Sequence, residues 1–292
     1  MTASGGPGPR IGCHVSIAGG ISKAIARAVE RECDCIQVFT TSPKMWRHQA
    51  HAPEEVAGFR AGLKERGIVP AVAHAAYLIN LASTNRGLFA KSVKHLAETG
   101  EWAGKLGCSA VILHAGHAPD DEMTAGLKRV AQGLREALRG WPDGVTLSLE
   151  MTAGGASGVG SSFGHFAAVI NELDGDARVG IWLDTAHAFE AGYDLRTEED
   201  VARLVAEAGE AGGWKRVNGV HANDSKTPLG SHLDRHENIG EGEIGDAGFR
   251  AVLGNPVLRA LPFILETPGY DGEGPGLEGV RKLRGLAGPG RS

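Results

Sequence analysis

Long apolar runs and a secretory signal are both missing from this sequence. None of its apolar runs approaches the ~20 residues that cross a bilayer, so we expect no membrane association. The first ten residues, MTASGGPGPR, have no apolar core segment and do not resemble a signal peptide. We interpret residues 1–9 and 287–292 as a flexible leader and a flexible tail.

Cysteine is scarce and has no metal-binding spacing. The four cysteines are Cys13, Cys33, Cys35 and Cys108, and they form no CxxC pair, which argues against a zinc finger. Cys33 and Cys35 are too close in sequence to form a disulfide within a strand. We therefore predict buried free thiols and a reducing, cytoplasmic location.

A surplus of positive charge is also missing, since the formal net charge is −5 at pH 7. The composition therefore gives no indication of nucleic-acid binding. A polyanionic partner would need a local basic patch or bound cations. Three divalent ions would add about six positive charges to one site, so overall acidity does not exclude such a partner.

Eight short apolar runs predict buried β-strands. They lie near residues 10–15, 35–39, 69–74, 109–114, 145–150, 180–184, 217–221 and 261–266. Helical signals lie between them, as in PEEVAGFRAGLKERG, which begins at Pro53 and stops at Gly67. Eight strand–helix units of about 250 residues match a (β/α)8 TIM barrel of the α/β class. No linker divides the chain, so we predict one barrel domain over residues 10–286.

Six of these runs end in a residue type that binds metal ions, and three further candidates follow strand ends. The nine candidate ligands are His74, His114, Glu150, Asp184, His187, His221, Asp234, His236 and Glu266. Because the active site of such a barrel lies at the C-terminal ends of the strands, we expect these side chains to converge.

Each candidate also has an ordinary structural interpretation. A single histidine at a strand end is more often a hydrogen-bonded polar residue than a ligand. The DxxH pair of Asp184 and His187 is a stronger signal, because two ligand types meet at one strand–loop junction. The DxH pair of Asp234 and His236 is weaker alone, since such triplets also occur in solvated loops. The joint pattern favours metal binding.

Nine ligands are too many for one tetrahedral ion and suit two or three ions. Mixed imidazole and carboxylate ligands suit zinc, with manganese or iron as alternatives. Glu150 is the obvious carboxylate to bridge two ions. Paired ions generate hydroxide at neutral pH and hold both oxygens of a phosphoryl displacement, so phosphodiester hydrolysis fits this set best.

At this point the sequence resembles the endonuclease IV family of apurinic/apyrimidinic endonucleases. The matching stretches are GCHVSIAGG (12–20), HAAYLINLA (74–82), DTAHAFEAGYDLRT (184–197), HANDSK (221–226), GSHLDRHENIGEGEIG (230–245) and ILET (264–267). Together they extend from about Ile11 to about Glu266, nearly the whole chain. Three positions depart from the family pattern, namely Ala115, Met151 and Ala186, and none of them removes a candidate ligand.

The resemblance implies a barrel with three zinc ions that cleaves duplex DNA on the 5′ side of an abasic site. It assigns His74 and His114 to the first zinc, with Glu150 as the bridge to the second. The other ligands of the second zinc would be Asp184, His221 and Glu266. The ligands of the third zinc would be His187, Asp234 and His236. Glu150 and Glu266 would be catalytic, with Glu266 orienting the attacking hydroxide.

The resemblance also implies DNA contacts and an oligomeric state. Tyr77 matches a position that fills the gap in the duplex, and Lys44 lies where the family has a basic loop residue. Arg235, between two candidate ligands, would contact phosphate. Tyr77 could equally be a packed tyrosine, and Lys44 an ordinary surface residue. The family expectation is a monomer with no protein partner.

Two other functions remain open from the sequence. A metal-dependent sugar isomerase or epimerase on the same type of barrel usually holds one or two metals with about four ligands. It would not need Asp234 and His236. A module that recognises damaged DNA without cutting it would not need a complete set of ligands for a hydroxide source.

Overall fold

The structure is a computed structural model that describes residues 8–119, 122–155, 157–210 and 213–288. Residues 1–7 and 289–292, which include most of the predicted leader and tail, lie outside the described residues. Within the described part of the chain, strands and helices largely alternate from Ile11 to Leu286, except that two helices follow the strand Val179–Asp184 and two short strands follow the strand Val217–His221.

Eight parallel strands close into a barrel in the order β1-β10-β7-β6-β5-β4-β3-β2 once the ten strands are numbered along the chain. The described strands are β1 (Ile11–His14), β2 (Ile36–Phe39), β3 (Ala71–His74), β4 (Ala110–Leu113), β5 (Thr146–Glu150), β6 (Val179–Asp184), β7 (Val217–His221), β8 (Asp224–Ser225), β9 (His236–Glu237) and β10 (Phe263–Leu265). The closed parallel barrel confirms the predicted fold class.

The helices cover the outside of the barrel. They are α1 (Lys23–Glu30), α2 (Pro53–Arg66), α3 (Arg86–Leu106), α4 (Met123–Ala137), α5 (Phe163–Glu172), α6 (Thr185–Glu190), α7 (Glu198–Glu210), α8 (Gly245–Gly254) and α9 (Leu277–Leu286). The start of α2 at Pro53 is confirmed, and Gly67 ends the helix in the left-handed conformation (φ 65°) that glycine adopts without strain.

The sequence did not indicate the small antiparallel hairpin formed by β8 and β9, in which Ser225 pairs with His236. It lies within the long connection between β7 and α8. Each of its strands has only two residues, which is too short for an alternating pattern to be visible. The hairpin brings His236 back towards the barrel.

A small apolar layer fills the inside of the barrel, separate from the large core between strands and helices. The inner layer consists of Cys35, Val72, Ala110, Ile112, Trp182 and Ile264. Side chains alternate between the two faces of a strand, so a residue an even number of positions further on also points inward. Five polar residues each follow a member of the inner layer by two positions, namely Gln37, His74, His114, Asp184 and Glu266. Strand periodicity therefore aims these polar residues into the C-terminal mouth of the barrel.

The four cysteines are buried free thiols, as predicted. Among the described residues, no helix is both long enough and apolar enough to cross a membrane.

We predict that Gly12→Ala lowers the free energy of unfolding by about 1–3 kcal/mol, the usual cost of overpacking. Gly12 lies on β1, where an added Cβ would come within 1.7 Å of the carbonyl oxygen of Cys35, the residue directly before β2. The matched control is Gly285→Ala in α9, where an added Cβ meets nothing within 4 Å. Urea denaturation of both variants in the same chelator-containing buffer checks this, and equal free energies would contradict it.

Candidate metal centre

Glu150, the last residue of β5, is at the centre of the site and only 1% exposed. Its Oε2 lies 3.0 Å from Nε2 of His74 and 3.0 Å from Nε2 of His114. Its Oε1 lies 2.6 Å from Nδ1 of His221. Both oxygens of one carboxylate therefore contact imidazoles that come from three different strand ends. We call His74, His114 and Glu150 the first group.

A second group shares Glu150 and adds Asp184, His221 and Glu266. Their candidate ligand atoms all lie within 4.8 Å of one another. His221 Nδ1 is 3.3 Å from Glu266 Oε2 and 3.8 Å from Asp184 Oδ2. Three carboxylates thus surround one imidazole nitrogen, and such a concentration of buried negative charge requires a positive counter-charge.

The third group is formed by His187, Asp234 and His236. His187 Nε2 is 3.3 Å from Asp234 Oδ1 and 3.3 Å from His236 Nε2. Asp184 joins this group to the second one, since its Oδ2 lies 3.8 Å from His236 Nε2. The other oxygen of Asp184 caps α6 by accepting a hydrogen bond from the His187 N–H at 3.0 Å. The cap fixes the orientation of both residues.

The outer nitrogens of three imidazoles make hydrogen bonds that orient the rings. His74 Nδ1 donates to the Ala75 carbonyl oxygen at 2.7 Å, and His187 Nδ1 donates to the Met151 carbonyl oxygen at 2.9 Å. His221 Nε2 donates to Gln37 Oε1 at 2.7 Å. In each ring the opposite nitrogen faces the carboxylates. This is the arrangement that metal-binding histidines adopt, so the residues present fit divalent ions.

The carboxylates and imidazoles shift each other's pKa values. Burial alone would lower the pKa of His221, but Glu266 and Glu150 outweigh it and raise the pKa to about 9. Burial would likewise lower the pKa of His187, yet Asp184 and Asp234 raise it well above its usual value. The pKa of Glu150 is held well below its usual value by His114 and His221, against the effect of burial. Protons on these imidazoles supply the counter-charge that a divalent cation would otherwise supply.

Three polar residues of the site were not among the sequence predictions. Gln37 donates to Glu266 Oε1 at 2.5 Å while it accepts from His221, so it sets the orientation of two candidate ligands. Asn223 donates to Asp184 Oδ2 at 2.7 Å and accepts from the Glu266 N–H at 2.8 Å. The alternation of β2 could have indicated Gln37, because it points inward two residues after Cys35. Asn223 had no comparable signal.

The third of these residues is Asp224, which organises the glycine-rich connection after the hairpin. Its carboxylate accepts N–H hydrogen bonds from Gly240, Gly242 and Ile244 at 2.9–3.1 Å. Burial raises its pKa although these hydrogen bonds lower it. The glycine-rich segment NIGEGEIG (238–245) is thus anchored by a residue that lies many positions earlier in the chain.

The three predicted DNA contacts lie at the same mouth of the barrel. Tyr77 is 60% exposed, and its ring centroid is 5.4 Å from that of His74 and 5.6 Å from that of Phe39. Arg235 is exposed between Asp234 and His236, with Nη1 donating to the Asp234 carbonyl oxygen at 2.8 Å. Lys44 is exposed in the connection between β2 and α2.

Comparison with known proteins agrees with the fold. A family model described as a xylose isomerase-like TIM barrel matches residues 25–286. The probable endonuclease 4 of Methanoculleus marisnigri is 42% identical over 280 residues, which cover 95% of this chain and 99% of that protein. The crystal structure of endonuclease IV from Thermus thermophilus superposes with a TM-score of 0.84 at 37% identity, over 95% of this chain and 98% of the other. The chain belongs to the endonuclease IV family.

The fold alone is shared more widely. A crystal structure of a D-tagatose 3-epimerase-like protein superposes with a TM-score of 0.67 at 19% identity, covering 95% of this chain and 96% of the other. At that identity the likeness concerns the barrel and not its chemistry.

We predict that metal binding releases protons at pH 7 and that the affinity for zinc rises between pH 6 and pH 9. The pKa of His221 is raised to about 9, so its proton must leave before the nitrogen can bind a metal. Each released proton changes the apparent affinity by up to about tenfold per pH unit. Calorimetry in buffers with different ionisation enthalpies counts the protons. A count of zero at pH 7 would contradict the assignment of His221 as a ligand.

Proposed function

We propose that this chain is a DNA repair endonuclease that hydrolyses the phosphodiester bond 5′ to abasic sites in duplex DNA, leaving a 3′-hydroxyl and a 5′-deoxyribose phosphate. The observation that carries the proposal is the set of three imidazole–carboxylate groups joined by Glu150 and Asp184 at one mouth of the barrel. The likeness to proteins named endonuclease 4 over nearly the whole chain supports the same activity.

The proposed cofactor is three zinc ions, with manganese as an alternative at one or more sites. The first group would hold one ion, and Glu150 would be shared with a second ion held by Asp184, His221 and Glu266. His187, Asp234 and His236 would hold the third. When bound, such ions activate water as a nucleophile and neutralise the charge that develops on the phosphate and its leaving oxygen.

Hydrogen bonds from neighbouring residues would hold the proposed ligand atoms in place around the ions. Glu266 receives its hydrogen bond from Gln37 on one oxygen and faces His221 with the other. We propose that Glu266 also orients the attacking water by accepting a hydrogen bond from it. Asn223 holds the Asp184 carboxylate and the Glu266 backbone together, so two ligands from different strand ends keep a fixed separation.

The exposed residues of the mouth would bind the duplex. Tyr77 offers an exposed aromatic ring above the first group, which suits stacking in the gap that an abasic site leaves. Arg235 and Lys44 are exposed cations that would contact backbone phosphates. A nucleotide without a base costs less to extrude than a paired one, which would favour abasic sites over intact DNA.

The third group argues against the main rival, a sugar isomerase or epimerase on the same type of barrel. Such an enzyme would use one or two metals and would not need Asp234 and His236. In this chain those two residues are brought to His187 by a dedicated hairpin, with ligand atoms 3.3 Å away. A separate structural element that completes a third group fits an enzyme that hydrolyses a phosphodiester better than one that isomerises or epimerises a sugar.

We predict that the protein cuts a duplex with a single abasic site once, on its 5′ side, and that prolonged chelation abolishes the cut. Readdition of zinc restores it, because the chelator removes the ions and leaves the barrel intact. Denaturing gel electrophoresis of an end-labelled duplex measures the product, and the same duplex without the lesion is the control. An intact strand before chelation would exclude the proposed activity, and it is what both rival functions predict.

We predict that Glu150→Gln lowers kcat at least about 100-fold while the barrel still folds. Partners that merely orient a metal ligand already contribute about 10–100-fold, and Glu150 contacts three imidazoles directly. The matched control is Glu207→Gln, an exposed carboxylate on α7 that pairs with Tyr193 and should retain full activity. Circular dichroism checks the fold, and unaltered turnover of Glu150→Gln would refute its bridging role.

A further inference from the structure

Glu190, the last residue of α6, is a buried carboxylate that the proposed function does not use. It is 0% exposed, and its Oε2 has no hydrogen-bond partner among the described residues. A buried carboxylate oxygen without a partner is costly, so its retention calls for a compensating interaction. A candidate ligand atom of Glu190 lies within 4.8 Å of those of His187 and Asp234.

The other oxygen of Glu190 connects α6 to the hairpin. Its Oε1 accepts the Arg235 N–H at 3.1 Å and lies 2.9 Å from the Ser225 hydroxyl oxygen. Arg235 stands between Asp234 and His236, so this one hydrogen bond fixes the backbone between two candidate ligands. The Glu190 carbonyl oxygen also accepts the His232 N–H at 3.0 Å. Glu190 therefore holds the segment that carries two of the three candidate ligands of the third metal site.

This support is needed because the third group is the most exposed of the three. The Asp234 side chain is 63% exposed, whereas His114 in the first group is 24% exposed and Glu266 in the second group is 12% exposed. A ligand on an exposed connection loses conformational entropy when it binds a metal, unless the backbone is already ordered. Glu190 supplies that order from a helix that begins directly after Asp184, itself a candidate ligand.

We propose that Glu190 is a positioning residue of the third metal site. It holds the Asp234–His236 segment through Oε1, and its carboxyl group lies beside His187 and Asp234. The inference rests on the proposed function, since it assumes that the third group binds a metal. It predicts that Glu190 sets how tightly the most exposed of the three ions is retained.

The test measures zinc retained by the full-length protein after equilibrium dialysis against graded chelator, by elemental analysis. Glu190→Gln keeps the size of the side chain and an acceptor for the Arg235 N–H but removes the ionisable carboxyl group. We expect one zinc per chain to dissociate with a constant about 10- to 100-fold higher than in the wild type, the usual effect of an outer partner. Glu190→Ala, which also removes the acceptor, should lose that ion at still lower chelator concentration.

Two further variants calibrate the measurement. Ser225→Ala removes one neighbour of the same Oε1 but keeps the carboxyl group, and its zinc retention should stay within a few-fold of wild type. Asp234→Ala removes a proposed ligand and marks full loss of the third ion. The melting temperature of each variant with chelator reports on folding. The increase in melting temperature caused by zinc gives a second readout that is independent of DNA cleavage.

The outcomes separate this inference from the proposed function. A wild type that retains three zinc ions, with a folded Glu190→Gln that loses one of them more readily, supports the proposal. A wild type with three ions and a Glu190→Gln variant with identical retention overturns the proposal and leaves the proposed function intact. A wild type that binds no metal overturns both.

Discussion

The carboxylate of Glu150 is the constraint on which the site depends. It is fully buried at the end of β5, and both of its oxygens face imidazoles. A buried carboxylate is tolerable only when positive charge is held close to it. The surrounding histidines meet this need with protons, and divalent ions would meet it more completely. The charges at the barrel mouth are therefore compatible with divalent ions bound beside this side chain.

A second layer of hydrogen bonds turns this charge requirement into a defined geometry. Backbone carbonyls at Ala75 and Met151 select one orientation of His74 and His187, while the Gln37 amide does the same for His221 and Glu266 at once. These partners sit on the rigid strands or directly after them. Rigid support of this kind allows a site to be formed before metal or substrate arrives.

The third group differs from the other two because some of its residues do not come from the ends of barrel strands. His187 belongs to a short helix that begins at the end of β6, but Asp234 and His236 arrive on a hairpin outside the barrel. Asp224 gathers the glycine-rich segment that follows, and Glu190 holds the backbone between the two ligands. Two buried carboxylates, neither among the predicted ligands, therefore shape the most exposed part of the site.

The barrel and the nine candidate ligands could be predicted from the sequence because both follow from patterns within short stretches of the chain. Apolar runs of strand length recur with helical segments between them, and the residues that end those runs must meet where parallel strands end. Long matches such as DTAHAFEAGYDLRT added the family and its expected chemistry. The resemblance also implied DNA contacts for Tyr77, Lys44 and Arg235, and these roles remain proposals.

Only the tertiary structure decided which partners hold those ligands. Gln37 contacts His221 across 184 positions, and Glu190 reaches Arg235 across 45, so no local pattern encodes either pair. The two-residue strands of the hairpin are likewise too short to show periodicity in the sequence. The sequence shows which positions carry metal-binding residue types. The orientation of the imidazole rings and the burial of the carboxylates depend on contacts between distant residues, which form only when the chain folds.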